Sequence, residues 1–236
     1  MNSIDKTAPV PAVLAQARMA GFLYLMYMLI TIPADALGRS PLIVFGDAVA
    51  TAGKIAAHAW QFRLGIVGDL VSAVFFLLAA WALYALLKPV DKNLALSFLL
   101  LNLGGVAIYS LNLLNQFAAV LLLSGADYLK IFRADQLQSL AMFFLDLHHN
   151  GYWIAQIFFG VWLFPLGYLV FKSGFLPKFL GVILMVHCFT WTTTSLLYFL
   201  YTPGYTAITY VSFPLGFLAE FGLTLWLLIK GAGERK

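Results

Sequence analysis

Residues 61–89 read QFRLGIVGDLVSAVFFLLAAWALYALLKP, with no aspartate, glutamate, lysine or arginine between Asp69 and Lys88. As an α-helix, a run of that length crosses a hydrocarbon core of about 30 Å. The charges sit at its ends, as they do for spans in lipid. The rest of the chain repeats the pattern. Of its 236 residues, 62% are hydrophobic and only 10% are charged, where a soluble domain carries about 25%. Ten acidic and fourteen basic side chains cannot cover a water-facing surface of this size. The expected fold class is therefore all-α: a polytopic transmembrane helical bundle of about six transmembrane helices, with an interfacial helix between the first two.

The expected spans cover residues 18–37, 61–87, 93–124, 152–171 and 177–201, and a last one beginning between 205 and 212 and ending at Lys230-Gly231. The apolar run at 19–32 is short, but Pro33, Asp35 and residues 38–41 form a turn-rich boundary rather than a cleavage site, so it is expected to be a retained helix. Between residues 43 and 59, Asp47, Thr51, Lys54 and His58 recur at spacings of four, three and four, which describes an amphipathic helix at the membrane surface. Asp135 is expected to cap a short helix reaching Asp146. His148-His149-Asn150-Gly151 is then expected to interrupt the chain before the fourth span. The domain reading is a cytoplasmic lead at 1–17, one transmembrane domain at 18–231 and a cytoplasmic tail at 232–236.

Positive charge orients the bundle. With the N-terminus inside, the inner segments hold Lys6, Arg18, Lys88, Lys92, Lys172, Lys178, Lys230, Arg235 and Lys236, nine of the fourteen basic residues. The outer ones hold Arg39, Lys54, Arg63, Lys130 and Arg133. That bias places both termini on the cytoplasmic face. Dispersed at span ends, these residues exclude a nucleic-acid partner and name the lipid bilayer instead. Cys188 is the single cysteine, so no internal disulfide forms.

Ionisable groups at membrane depth are costly and face the protein interior. Asp69 lies about two turns into the second span, with Arg63 as a partner across the bundle. Glu220 sits within the last span, flanked at four-residue spacing by Gly216 and Thr224. In the third span Asn102, Gly105, Tyr109, Asn112 and Gln116 form one polar stripe, with Asn115 beside it. Asp146, His149, Trp153, Gln156 and Gly160 share the same rhythm if the helix persists through Asn150-Gly151, and the fifth span adds His187, Thr190 and Thr194. These groups point to a buried polar pocket for a small or lipid-like ligand, opening to the outer side. An intramembrane enzyme is its sharpest form, with Asp69, His148, His149 and Glu220 as the acid–base set and Arg63, Asn112, Asn115, Asp146, Gln156 and Thr190 as ligand contacts. No HExxH motif specifies a metal, so Asp146, His148, His149, His187 and Glu220 are metal candidates by residue type alone, and no cofactor is named. A small transporter or proton-coupled carrier is the alternative, small unless the chain forms a homo-oligomer. A structural or regulatory bundle, in which the same groups fix helix register, is the third reading.

Several separated motifs carry a resemblance: Arg18-Met-Ala-Gly21, Phe62-Arg-Leu-Gly-Ile-Val-Gly-Asp69, the Leu-Lys88-Pro89-Val turn, Leu111-Asn-Leu-Leu-Asn115 with Leu-Leu-Ser-Gly125, Phe144-Leu-Asp-Leu-His148, Gly167-Tyr-Leu-Val-Phe171, Ser173-Gly-Phe-Leu-Pro177 and Ala219-Glu220. Together, over residues 18–231, the chain resembles the DUF4386 family of uncharacterised bacterial integral membrane proteins. The resemblance implies a six- or seven-helix protein of the bacterial inner membrane with no established activity. It lends emphasis to Arg63, Asp69, Asn112, Asp146, His148 and Glu220 without giving them roles.

Overall fold

The computed structural model describes residues 10–233. Lys6, Arg235 and Lys236, which entered the charge bias, lie outside the described residues, as do most of the lead at 1–17 and the end of the tail at 232–236. Among the described residues six helices are long and apolar enough to cross a membrane: Ala12–Leu42, Ala59–Leu87, Lys92–Leu122, Ala134–Lys172, Lys178–Leu200 and Pro203–Ile229. The expected all-α architecture is therefore the observed one.

The first span is built from α1 (Val10–Pro33), a π-helical turn (Ala34–Arg39) and a 3-10 turn (Ser40–Leu42). Pro33 has no N–H to give the carbonyl one turn back. The chain widens into the π turn instead of ending, so helix-like structure runs past the boundary expected at residue 37. The sixth span repeats the device. After α8 (Thr202–Gly216), which contains Pro214, comes a π turn at Phe217–Phe221 and then α9 (Gly222–Ile229). Each π turn carries charged residues of its span: Asp35 and Arg39 in the first, Glu220 in the second. Single π turns are frequent at functional sites.

Helix α2 (Ala48–Ala57) stands where the interfacial helix was expected, too short to span. Asp47 starts it, its Oδ1 accepting from the Ala50 N–H at 2.9 Å. Replacing Asp47 with alanine is expected to cost about 1 kcal/mol of helix stability. Hydrogen exchange at the first amides of α2 should then run about fivefold faster.

Two expected breaks are displaced, the first to Trp162 and the second by one residue to Tyr201. α5 (Ala134–Val161) runs unbroken through His148-His149-Asn150-Gly151, so the segment before the fourth span is its first half. The interruption falls instead at Trp162, ahead of α6 (Leu163–Lys172). Pro165 causes it, being unable to donate to the Val161 carbonyl. Likewise Thr202-Pro203-Gly204 opens α8, with Pro203 in its first turn where a missing N–H costs nothing. The remaining long elements, α3 (Ala59–Leu87), α4 (Lys92–Leu122) and α7 (Lys178–Leu200), match expectation within a few residues.

The described residues gather into two compact units. The first draws on the described residues within Met1–Met26, Phe75–Val106 and Ile154–Lys236, the second on Tyr27–Val74 and Ala107–Trp153. In the first, Phe76 packs on Tyr24, Phe159 and Trp162 at ring-centroid distances of 5.0–5.8 Å. There α6 and α7 also approach at backbone distance, because a Cβ on Gly167 would lie 2.7 Å from the Gly181 carbonyl oxygen. The second unit has an aliphatic core that includes Leu42, Ile55, Phe62, Ile66 and Leu145.

Candidate functional site

Within the second unit, small residues let the first π turn lie directly on α3. A Cβ on Gly38 would stand 2.7 Å from the Gly65 Cα, and one on Gly65 would stand 2.6 Å from the Arg39 Cγ and 3.0 Å from the Ala34 carbonyl oxygen. Through that gap the Arg39 side chain passes inward until it is only 10% exposed. Its Nε lies 3.0 Å from Asp69 Oδ2 and its NH2 3.3 Å from Asp69 Oδ1. The Nε approach is too oblique for a hydrogen bond, so it is a charge contact. The same NH2 lies 3.1 Å from Asp35 Oδ1, four residues back, and Ser40 Oγ donates to that oxygen at 2.9 Å. Asp69 is fully buried, and the Tyr109 hydroxyl also faces it.

His148 completes the cluster from α5. Its Nε2 meets two donors, Gln116 Nε2 at 2.7 Å and Arg39 NH1 at 3.4 Å. Its Nδ1 lies between two groups of Asn112, 3.1 Å from the side-chain Nδ2 and 3.3 Å from the carbonyl oxygen. Asn112 Nδ2 donates to the His148 carbonyl at 2.8 Å, and Asn115 Nδ2 donates to Asn112 Oδ1 at 2.9 Å. Gln116 Oε1 is buried and, among the described residues, has no hydrogen-bond partner. On the flank of Gly38 and Gly65 lies an apolar groove of about 390 Å³, whose wall includes Ile30, Ala34, Leu37, Trp60, Gln61 and Leu64.

A second polar group belongs to the first unit. The Tyr24 hydroxyl donates to Glu220 Oε2, and Glu220 Oε1 lies 3.6 Å from His187 Nε2. Thr190 Oγ1 lies 3.4 Å from His187 Nδ1 and donates to the His187 carbonyl at 3.1 Å. Gln156 Oε1 accepts from Trp191 Nε1 at 2.9 Å, and the Thr194 and Ser212 hydroxyls are 2.9 Å apart.

The expected acid–base set is thus divided. Asp69 and His148 meet through Arg39, whereas Glu220 sits with Tyr24 and His187. Of the two adjacent histidines His148 is the buried one, while His149 is half-buried with its ring 5.3 Å from the Phe45 ring. Arg63 is exposed and does not pair with Asp69. It starts six residues before Asp69 on the same helix, pointing elsewhere, and Arg39 takes its place. Asp146 is exposed, and its backbone carbonyl accepts from Asn150 Nδ2 at 2.8 Å. Asn115 and Thr190 are half-buried, and Gln156 and Asn112 buried. The metal candidates do not assemble: among the described residues no three histidine, cysteine, aspartate or glutamate side chains come together to hold an ion. Arg39 escaped the sequence reading because Pro33 and Pro41 made its surroundings look like a loop. The signal for it was the four-residue spacing from Asp35.

The profile of a family described as "Domain of unknown function (DUF4386)" matches residues 19–231. A relative called "Uncharacterized protein", from Archaeoglobus fulgidus, is 32% identical over 171 residues, covering 70% of this chain and 83% of its own length. That relative is archaeal, so the bacterial confinement implied by the resemblance does not hold. No solved structure matches the chain.

Proposed function

The chain belongs to the DUF4386 family, and we propose that this multi-pass membrane protein binds a lipid-like amphiphile in its second unit. Its apolar chain lies in the groove beside Gly38 and Gly65, and its polar end at Asp35 and Arg39. One observation carries the reading: the groove and the buried ion pair share a wall, since Gly65 both lines the groove and gives the Arg39 stem its passage. An aqueous groove of this composition would be unfavourable, but in a bilayer an acyl chain fills it. Charge selects the polar end. One guanidinium stands against two carboxylates, a local balance of 1 − 2 = −1, so a cationic or zwitterionic end bearing an ammonium fits better than an anionic one. Asp35, with its side chain 57% exposed, is the group that meets it.

Binding is supported more strongly than turnover. A general base needs a free lone pair, whereas His148 Nε2 is already engaged by Gln116 and Arg39. Lysine and arginine placement favours both termini on the cytoplasmic side, which sets this unit toward the outer leaflet.

The test uses full-length protein in nanodiscs, with phosphatidylethanolamine or phosphatidylglycerol carrying a photoactivatable acyl chain. Labelling is expected to concentrate on Ile30, Leu37, Trp60 and Leu64, several-fold more with the ethanolamine lipid. Leu64→Trp, which fills the groove, should remove it, and Asp35→Asn should erase the headgroup preference. Labels spread evenly over lipid-facing residues such as Leu111 and Leu114, unchanged by Leu64→Trp, would sink the proposal. A carrier or purely structural bundle would then be the better description.

A further inference from the structure

We infer that Tyr24, Glu220 and His187 of the first unit form a proton-binding site, sharing no residue with the Arg39 cluster. The second π turn, set by Pro214, carries Glu220, and the sixth span is thinned to receive an imidazole. A Cβ on Gly216 would lie 2.5 Å from His187 Nε2, so only glycine lets that ring rest on the helix backbone. The His187 side chain is 3% exposed and that of Glu220 24%.

Hydrogen counting singles the pair out. The Thr190 hydroxyl has one hydrogen and gives it to the His187 carbonyl, so it presents a lone pair to Nδ1. Nδ1 therefore keeps its hydrogen, and Nε2 of a neutral ring offers a lone pair to Glu220 Oε1, 3.6 Å away. An ionised carboxylate would then face a second acceptor at close range, without a donor between them. One additional proton resolves the conflict, either as a carboxylic acid donating to Nε2 or as an imidazolium donating to Oε1. It belongs to the pair rather than to one residue. Tyr24 holds the other carboxylate oxygen in both forms. Uptake brings one proton from the bulk solvent and makes one O–H or N–H bond, and release returns that proton and breaks the bond. From the neighbouring elements, α1 supplies Tyr24 and α7 His187, whereas α8 and α9 contain no charged residue. Cys188, next in sequence to His187, lies by Thr192 and Phe164. Such a site is the part a proton-coupled membrane protein requires, and it stands whether or not the amphiphile reading holds.

The experiment is a nuclear magnetic resonance titration of the full-length protein in lipid nanodiscs, with nitrogen-labelled histidine and carbon-labelled glutamate. Glu220 and Glu234 are the chain's two glutamates, and His187→Gln and Glu220→Gln assign the signals. Between about pH 4 and 9, the Glu220 carboxyl and the His187 Nε2 signals are expected to move along one curve with a common midpoint, while Glu234 follows its own. Tyr24→Phe should displace the common midpoint by about tenfold in proton concentration. Independent curves for Glu220 and His187, or no change in either across the range in the folded protein, would overturn the inference. The wild-type protein alone decides this, so a variant that fails to fold leaves the test intact.

Discussion

Replacing Asp69 with leucine is expected to lower the unfolding free energy by about 3–5 kcal/mol, read from equilibrium unfolding in bicelles. Asp69 is fully buried. Without it the Arg39 guanidinium keeps only Asp35, whose carboxylate is largely exposed. On its remaining side stands the His148 ring, with Nε2 at 3.4 Å. One such contact does not offset the desolvation of a cation. The Arg39→Met, Asp69→Leu pair should recover most of the loss, because removing both charges leaves neither uncompensated. Equal stability of the single and double variants would show that Asp35 alone satisfies Arg39. The double variant also separates glue from site. It leaves Asp35 in place with a local balance of 0 − 1 = −1, so it should fold and keep the ethanolamine-lipid preference that Asp35→Asn erases.

The six spans were legible because charge and apolar runs alternate so sharply along this chain. Their boundaries were not, for a reason rooted in the solvent. Pro33, Asn150-Gly151 and Thr202-Pro203-Gly204 are turn signals in water, where a broken backbone hydrogen bond is repaired by solvent. In hydrocarbon an unpaired N–H or C=O costs several kcal/mol. The backbone therefore stays helical through Pro33 and Asn150-Gly151, with a π turn after Pro33, whereas between the fifth and sixth spans the chain does break, at Tyr201. Arg39 was misread with the Pro33 boundary. Once the helix continues past the proline, Asp35 and Arg39 stand one turn apart and the guanidinium faces inward toward Asp69. The Asn112 and Gln116 stripe, by contrast, was visible at spacing four, and both residues do meet His148. What no spacing rule could supply was the pairing between helices: Asp69 with Arg39 rather than Arg63, and Glu220 with Tyr24 and His187.

Gly151 turns that lesson into a sign test. An exposed helical glycine changed to alanine gains about 1 kcal/mol, and in a loop the change is near neutral. Here Gly151→Ala is expected to destabilise, by about 3 kcal/mol. The new Cβ would fall on the Asn112 side-chain amide, which lies there because it donates to the His148 carbonyl. Asn112 must then withdraw, and with it goes the acceptor for Asn115 Nδ2. The overpacking and the lost buried hydrogen bonds together exceed the helix-propensity gain, which sets the expected sign. Adding Asn112→Ala should make room for the Cβ and return much of the stability, giving a favourable coupling of about 1–2 kcal/mol in a double-mutant cycle. If Gly151→Ala instead stabilises the protein, or the two substitutions simply add, then Asn112 does not rest on Gly151. The glycine would be only a helix-weakening residue, and the asparagine–histidine contact would have to be abandoned.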